Sequence, residues 1–500
     1  MIEKNIYLLL EKAFNKEPQR IFLKSLDDNE VLNYEDTFKL TLKFNRFLNQ
    51  NKIKKQNKII VIFDNSVLLS FLFLGVTSTN RIFVPVNPEI GNYEFLHILK
   101  TADPVFFIVD DKYRNKFYKF LKKKKYLFVK NHQDFIDDLK KENTLEINKN
   151  FNGISEVLYT SGSTGKPKGV VLTHKSILSN LHGLDKSLNL EKYKNFLAIT
   201  PLFHNNGQFL PTLMCIKKFG SSLPIISKTS LRVFWDIVAK TKIHYSSVMV
   251  THIFYLLYEK KNIRKHSLKA LFCGGAKLDL NTQNLFEKKF RVKICCNYGL
   301  TETSSIVATE NLNKKSNLGS VGKPLFNNKI KIVNIKKEND YKGEIIVKGE
   351  NNFLKYLKNK KKTLEVKKNG WFYTGDLGKF DKKKNLHIFD RKDNMIIVSG
   401  ENIYPTEIEK FSNQIKNIKL SVVTSVKDRF TQNRLVMVYE SRKYIKKEKI
   451  LKFLFNKSTH FKVPKEIYHC KQLGLDEIPK APNGKILRSK IRQIVQNHYI

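Results

Sequence analysis

The chain has 500 residues and a mass of 58.5 kDa, enough for more than one domain. With 41% hydrophobic and 27% charged residues it can bury several cores, which excludes a disordered chain. Its 91 basic residues against 46 acidic ones give a net charge of +45, yet 78 of the basic residues are lysines and only 13 are arginines. Sequence-specific nucleic-acid sites lean on the arginine fork. The lysines are spread over the whole length, so the charge reads as composition, and no nucleic-acid partner is expected. The five cysteines form no C-x-x-C pair and no disulfide-like spacing, which suits a reducing cytoplasm. The N-terminal segment breaks its apolar run at Glu11 and Lys12, unlike a signal peptide, and the longest apolar stretch, 66–76, is too short to span a bilayer. A soluble protein without integral membrane association is expected.

In chain order, KIIVIF (58–63), RIFVPV (81–86), PVFFIVD (104–110) and EVLYT (156–160) read as buried strands. SVLLSFLFLGV, after Asn65, reads as a helix packed between the first two. Such alternation implies a largely parallel sheet covered by helices. It resumes at FLAITPL (196–202), ALFCGGA (270–276) and VKICCNYG (292–299). Beyond about residue 315, short strands such as GEIIVKG and LHIFDR, separated by Lys/Asn/Gly turns, suggest an antiparallel sheet or small barrel. From residue 391 onward, SVVTSVKD and RLVMVYE with amphipathic stretches between them suggest a compact α+β domain. The lysine runs at 122–125 and 358–368 read as solvated faces.

Tyr159-Thr-Ser-Gly-Ser-Thr-Gly-Lys-Pro-Lys-Gly169 places three glycines, four Ser/Thr hydroxyls and two lysines directly after a buried strand. Glycines let backbone N–H groups close around an anion, hydroxyls add donors and lysines supply charge, so a polyphosphate is the expected ligand. It is not a Walker A loop. Only two residues separate Gly162 from Gly165, Pro167 stands where that motif needs Ser or Thr, and the following KGVVLTH is strand-like.

This stretch resembles the signature loop of the adenylate-forming superfamily, which contains acyl-CoA synthetases, aryl-CoA ligases, luciferases and peptide-synthetase adenylation domains. Further motifs extend the resemblance from about residue 20 to 490. It implies an α/β fold: a large N-terminal domain (1–390) of mixed parallel sheets with helices and a small barrel-like β subdomain, then a small mobile C-terminal α+β domain (391–500). The loop residues Thr160, Ser161, Gly162, Ser163, Thr164, Gly165, Lys166 and Lys168 would cradle the phosphates of ATP. In Asn297-Tyr-Gly-Leu-Thr-Glu302, the resemblance has Asn297, Tyr298, Gly299 and Thr301 at the nucleotide, with Tyr298 stacked on adenine, and Glu302 on Mg²⁺. An acidic group beside a polyphosphate makes sense only with a metal between them. Gly274, Gly275 and Ala276 resemble the adenine-side segment.

Asp376, in YTGD, matches the ribose motif, and Arg391 the residue that reaches the ribose or phosphates. Asp393 falls at the family's hinge, and Gly400 resembles the glycine lining the coenzyme A tunnel. Lys485, in PNGKILR, matches the lysine that bridges carboxylate and α-phosphate. His204, in PLFHNNG, sits beside the acyl carboxylate in the family, with Asn205 and Asn206 lining the acyl pocket. Their amides suggest a small acid, or one with oxygen near its carboxyl end. The implied activity is an ATP-dependent acyl-CoA synthetase, working through acyl-AMP with Mg²⁺ and coenzyme A and serving a pathway such as fatty-acid metabolism. Two alternatives stay open: an acyl-carrier-protein phosphopantetheine as acceptor, and a non-enzymatic basic protein that binds nucleic acid or membranes.

Overall fold

The structure is a computed structural model. It describes every residue except 1, 27–28, 161–166, 226–230, 260–265, 276–277, 315, 334–342, 395, 399–400, 429–431, 458–461, 482–483 and 499–500, and only the backbone of 393, 397, 401, 402 and 432. The chain divides into two compact units, one made of Met1–Ile330 with Val347–Phe372 and the other of Lys331–Ile346 with Tyr373–Ile500.

The first unit holds two mixed sheets. In the seven-stranded one, strands Lys58–Ile62, Ile82–Pro85, Phe106–Asp110 and Lys125–Val129 are parallel. Strand Ile154–Thr160 runs parallel to Ile82–Pro85 and then turns back as the antiparallel strand Lys168–Thr173, with the two-residue strand Lys355–Tyr356 at that edge. In the nine-stranded one, Asn195–Ala198, Ser221–Pro224, Tyr245–Met249, Ala270–Gly274 and Lys293–Leu300 are parallel, flanked by antiparallel edges.

Continuous β-branched and aromatic runs suit strands buried on both faces. Ile59 and Val61 face the core between the sheets, and Ile60 and Ile62 face the core on the opposite side. Helix Val67–Ser78 is buried at all twelve positions and touches strands of both sheets. That is why it is apolar all round rather than along one stripe. Ser66 caps it, accepting from the Leu69 N–H. These elements are where the apolar runs place them.

The second unit contains an antiparallel pair, Ile418–Asp428 with Gln432–Ser441, and a third strand, Glu466–His469, parallel to the latter. Alternation sends Val422 and Val426 toward Ile491 and Val495 of helix Arg488–His498. Val423 instead joins Ile408 and Leu454, from helices Pro405–Ser412 and Lys447–Phe455. The β-rich texture beyond residue 315 is present as strands Gly343–Lys348, Trp371–Phe380 and Leu386–Arg391, the last two antiparallel.

Arg81 ties helix Tyr34–Gln50 to the strand that follows Arg81. Only 1% exposed, it donates to the carbonyls of Ile53 and Thr79 and to Oδ1 of Asn45 and Asn49. Burial pushes its pKa down to about 10, and the acceptors that satisfy it are neutral. Arg81→Ala would strand those acceptors and open a cavity. An expected loss of about 2–4 kcal/mol is read as a lower urea midpoint at unchanged m-value.

Candidate active site

The glycine-rich loop joins the antiparallel strands Ile154–Thr160 and Lys168–Thr173, with Thr160 opposite Lys168 and Tyr159 opposite Gly169. Ser161, Gly162, Ser163, Thr164, Gly165 and Lys166 lie outside the described residues. The ends of the loop are held by helix Asn92–Ala102. One turn apart on it, His97 Nε2 bonds the Pro167 carbonyl (3.0 Å) and Thr101 Oγ1 bonds the Tyr159 hydroxyl (2.7 Å). Lys168 Nζ stands 5.3 Å from the centroid of the Tyr356 ring, within cation–π range.

That ring also serves the NYGLTE segment. Strand Lys293–Leu300 ends in a single 3-10 turn, Thr301–Thr303, which leaves Glu302 buried with its Oε1 accepting from the Tyr356 hydroxyl at 2.7 Å. The Phe353 N–H donates to the Glu302 carbonyl at 2.7 Å. The chain then reverses through two positive-φ residues, Ser304 (57°) and Ser305 (130°), a conformation costing on the order of 1–3 kcal/mol per residue that persists only when its surroundings over-determine it. They do so here. Ser304 Oγ donates to the Asn351 carbonyl, Asn351 Nδ2 to the Thr303 carbonyl, and Asn180 Nδ2 to the Ile306 carbonyl. A Cβ at Gly299 would overlap the Ser305 carbonyl, so the turn requires glycine there.

On the adjacent strand, a Cβ at Gly274 would overlap the Asn297 side chain, whereas Gly275, at φ +83°, faces open space. Asn297 Nδ2 is buried with no hydrogen-bond partner among the described residues, a donor left unsatisfied there. Tyr298 is buried beside it. Ala276 lies outside the described residues.

His204 caps the short helix Asn205–Gln208, which continues into a π-helical stretch, Phe209–Met214. Its half-buried ring packs on Phe203, and burial pushes its pKa down to about 4, so it is neutral at pH 7. Asn205 Nδ2 and Asn206 Oδ1, a donor and an acceptor, are buried and unpartnered. Among the described residues no cluster of three or more His, Cys, Asp and Glu side chains could hold a metal by itself. A buried carboxylate beside the ends of a glycine-rich hairpin would fit a cation whose remaining ligands came from phosphate and water.

The description "AMP-binding enzyme" matches residues 10–357 of the chain. The chain belongs to the AMP-binding enzyme family. A curated relative, a 2-succinylbenzoate–CoA ligase of Bacillus cereus, is 28% identical over 460 residues, covering 89% of each chain. ATP-bound MatB from Rhodopseudomonas palustris superposes with a TM-score of 0.90 at 20% identity, covering 99% of this chain and 100% of that one. The o-succinylbenzoate coenzyme A synthetase from Bacillus subtilis in complex with ATP and a magnesium ion gives 0.84 at 24% identity, covering 96% and 98%. The fold is therefore that of adenylate-forming enzymes.

In the second unit of this AMP-binding enzyme, Asp376 and Arg391 are register partners on neighbouring strands. Arg391 Nη1 bonds Asp376 Oδ1 at 2.8 Å and the Thr374 carbonyl at 3.1 Å. Asp376 is buried. Asp393 falls in the 3-10 turn Lys392–Asn394, and Gly400 lies outside the described residues. Lys485 sits in a tight reversal closed by the Ala481 N–H to its own carbonyl (2.7 Å) and by a bridge between Lys480 and Ile486. Three residues on, Arg488 grips Glu409 through both nitrogens at 2.5 Å, and the Val423 N–H bonds the same carboxylate. Burial opposes its charge, but Glu409 holds Arg488 above the usual guanidinium value.

Residues not singled out from sequence are the supports: Tyr356, His97, Thr101, Asn180, Asn351 and Glu409. Only Glu409 carried a signal, as an acid on the buried face of an amphipathic helix. Tyr356→Phe removes the donor to Glu302. It should destabilise the chain by about 1–2 kcal/mol and raise the Mg²⁺ concentration for half-maximal activity by up to about tenfold, measured by thermal unfolding and by Mg²⁺ titration at fixed ATP.

Proposed function

We propose that this protein is an ATP-dependent acyl-CoA synthetase whose acid is an aromatic keto acid of the 2-succinylbenzoate type. The observation that carries the activity is the meeting of the phosphate hairpin and the buried Glu302 at one tyrosine, Tyr356, beside the orphaned Asn297 donor. The acid class rests on what the relatives are named for and on the unpartnered Asn205 and Asn206 amides, which suit an acid carrying a further oxygen near its carboxyl end. A place in fatty-acid metabolism has no such support from the relatives, which are named for 2-succinylbenzoate.

In the first step a carboxylate oxygen attacks the α-phosphorus of ATP, and the bond to pyrophosphate breaks. Two anions must meet, so the transition state needs cationic and N–H donors placed in advance. Thr160, Ser161, Gly162, Ser163, Thr164, Gly165, Lys166 and Lys168 cradle the phosphates in this reading, and Lys485 bridges carboxylate and α-phosphate. Glu302 holds Mg²⁺, which neutralises phosphate charge when bound. Tyr298 and Thr301 contact adenine and the α-phosphate. Gly274, Gly275 and Ala276 let the base approach the backbone, while Asp376 accepts from the ribose hydroxyls beside Arg391. In the second step the coenzyme A thiol loses its proton and attacks the acyl carbon, and AMP leaves with the carboxyl oxygen. Gly400 leaves room for the pantetheine arm, and Asp393 is the pivot between the two steps. Neutral His204 packs beside the carboxylate without competing for its charge. All five cysteines are buried free thiols, which fits cytoplasmic residence. No helix among the described residues is long and apolar enough to cross a membrane.

Carboxylate-dependent ATP–pyrophosphate exchange across aromatic, keto, short and long acids tests the reading, followed by coenzyme A-dependent AMP release. Strongest exchange with an aromatic keto acid, carried through to the thioester, is expected. No exchange with any acid would overturn the activity, and exchange only with unbranched fatty acids would overturn the acid class. Lys485→Ala should lower exchange at least about 100-fold while keeping most of the thioester step from supplied acyl-AMP. Equal loss of both steps would remove Lys485 from its assigned role.

A further inference from the structure

The segment that carries His204 is held in place by a side chain from the other sheet. Strand Asn195–Ala198 lies between Ser221–Pro224 and Tyr245–Met249. Among the described residues its ladder ends at Ala198, and the chain runs on through Ile199–Leu202 toward His204. Asn65 meets the backbone there. Its Nδ2 donates to the Ala198 carbonyl at 3.1 Å and the Thr200 carbonyl at 3.0 Å, and its Oδ1 accepts from the Leu202 N–H at 2.8 Å. All three bonds are buried, and Asn65 is 9% exposed.

Donating to one carbonyl and accepting from the N–H two residues later is what a residue of a parallel strand does for its neighbour. The carboxamide of Asn65 therefore stands in for one residue of a strand, bridging Thr200 and Leu202 across Pro201. A proline can sit at the centre of such a bridge, because the pattern uses only the groups on either side of it. Asn65 is itself fixed from both directions. Before it, Asp64 accepts from the Tyr113 hydroxyl at 2.6 Å and pairs with Lys112 at 2.7 Å. After it, Ser66 caps the helix Val67–Ser78, which is buried at every position. The place of Asn65 is thus inherited from the seven-stranded sheet and its helix, not from the segment it holds. That segment passes the constraint on. The His204 N–H donates to the Pro201 carbonyl and the Gly207 N–H to the His204 carbonyl, each at 3.0 Å. Gln208 Nε2 donates to the Leu202 carbonyl at 2.9 Å. A Cβ on Gly207 would come within 2.3 Å of the Pro201 carbonyl oxygen, so the turn bearing His204, Asn205 and Asn206 closes directly onto the residue that Asn65 brackets.

We propose that Asn65 is a positioning residue for the acyl site: its carboxamide sets the path of Ala198–Leu202 and thereby where His204, Asn205 and Asn206 meet the carboxylic acid. The bonding needs a donor and an acceptor on one short side chain, which selects asparagine. An ionised aspartate would still accept from the Leu202 N–H but would face the two carbonyls with a third acceptor. Alanine would remove all three bonds. The groups assigned to the nucleotide take their support elsewhere. Glu302 is held by Tyr356, the reversal after it by Asn180 and Asn351, and the ends of the glycine-rich hairpin by His97 and Thr101. A fault at Asn65 should therefore reach the acid and spare ATP.

The kinetic consequence rests on the synthetase reading; the structural one does not. Hydrogen exchange of peptides spanning 199–208 is compared in the unliganded wild type, N65A, N65D and V76A. Val76 is fully buried on the helix that follows Asn65, so V76A lowers stability without touching the three bonds. N65A is expected to exchange at least about threefold faster in this segment, with V76A matching the wild type there. N65D, which keeps only the acceptor, should also lose protection, and it carries the test if N65A does not fold. Unchanged protection in the folded Asn65 variants would overturn the proposal. In ATP–pyrophosphate exchange with the acid that the wild type uses best, KM for the acid should rise about tenfold in N65A. KM for ATP should stay within about twofold of the wild type, and V76A should shift neither. Equal rises for acid and ATP would overturn the proposal. So would a normal acid KM despite lost protection, since Asn65 would then only tie the two sheets together. Absent exchange with every acid in the wild type, alongside the expected protection difference, would refute the synthetase reading and leave the backbone clamp standing.

Discussion

The first unit is organised around one hydrogen bond, from the Tyr356 hydroxyl to Glu302. Glu302 follows a strand of the nine-stranded sheet, and Tyr356 lies on the edge strand of the seven-stranded one, beside the strand that returns from the phosphate loop. The bond therefore fixes where the Glu302 carboxylate stands relative to the glycine-rich hairpin. The Phe353 N–H to Glu302 carbonyl bond repeats the link on the backbone, and Lys168 lies over the same tyrosine ring. A buried carboxylate without a donor is costly. Here the donor is a neutral phenol rather than a lysine or arginine. The strained Ser304–Ser305 reversal just after Glu302 persists because Asn180 and Asn351 brace it.

What was legible in the sequence follows from how each element gains its stability. Strands buried on both faces must be apolar throughout, so KIIVIF and PVFFIVD declared themselves, as did a helix apolar on all sides between two sheets. The loop was legible for a different reason: its composition reads as an anion cradle and suits no packing role. Strand Lys355–Tyr356 was invisible because two residues in a lysine-rich stretch have no periodicity, and it forms only because its neighbour offers an unpaired edge. The supports of the site were equally hidden. His97, Thr101 and Asn180 act through contacts 58 to 126 residues away along the chain, which local pattern does not encode. The run EVLYT correctly signalled a strand, but period-two reasoning has no means of telling whether its glutamate faces water or the core.

Glu156 and Arg81 show the same physics in opposite senses. Arg81 stays charged when buried because five hydrogen bonds to neutral acceptors replace its water. Glu156 has no comparable set of donors, so giving up its charge is the lower-energy course. The difference lies in the groups themselves: a guanidinium spreads its charge over five N–H donors and resists deprotonation, whereas a carboxylate has its ordinary pKa far below neutrality and gains a donor by taking up a proton.

That contrast also places the net charge of +45. Exposed ion pairs such as Lys141–Asp138, at 76% and 71% exposure, contribute little to stability in water, and basic residues outnumber acidic ones about two to one. Their mutual repulsion is screened beyond about 8–10 Å at physiological salt, which lets a fold with well-filled cores tolerate them. A diffuse positive surface also raises the encounter rate of anions without selecting among them, and ATP, coenzyme A and a carboxylic acid are all anions. Selection has to come from groups taken out of water, where each donor and acceptor counts for more. On this reading the lysines govern how often a substrate arrives, and selection falls to the buried polar groups.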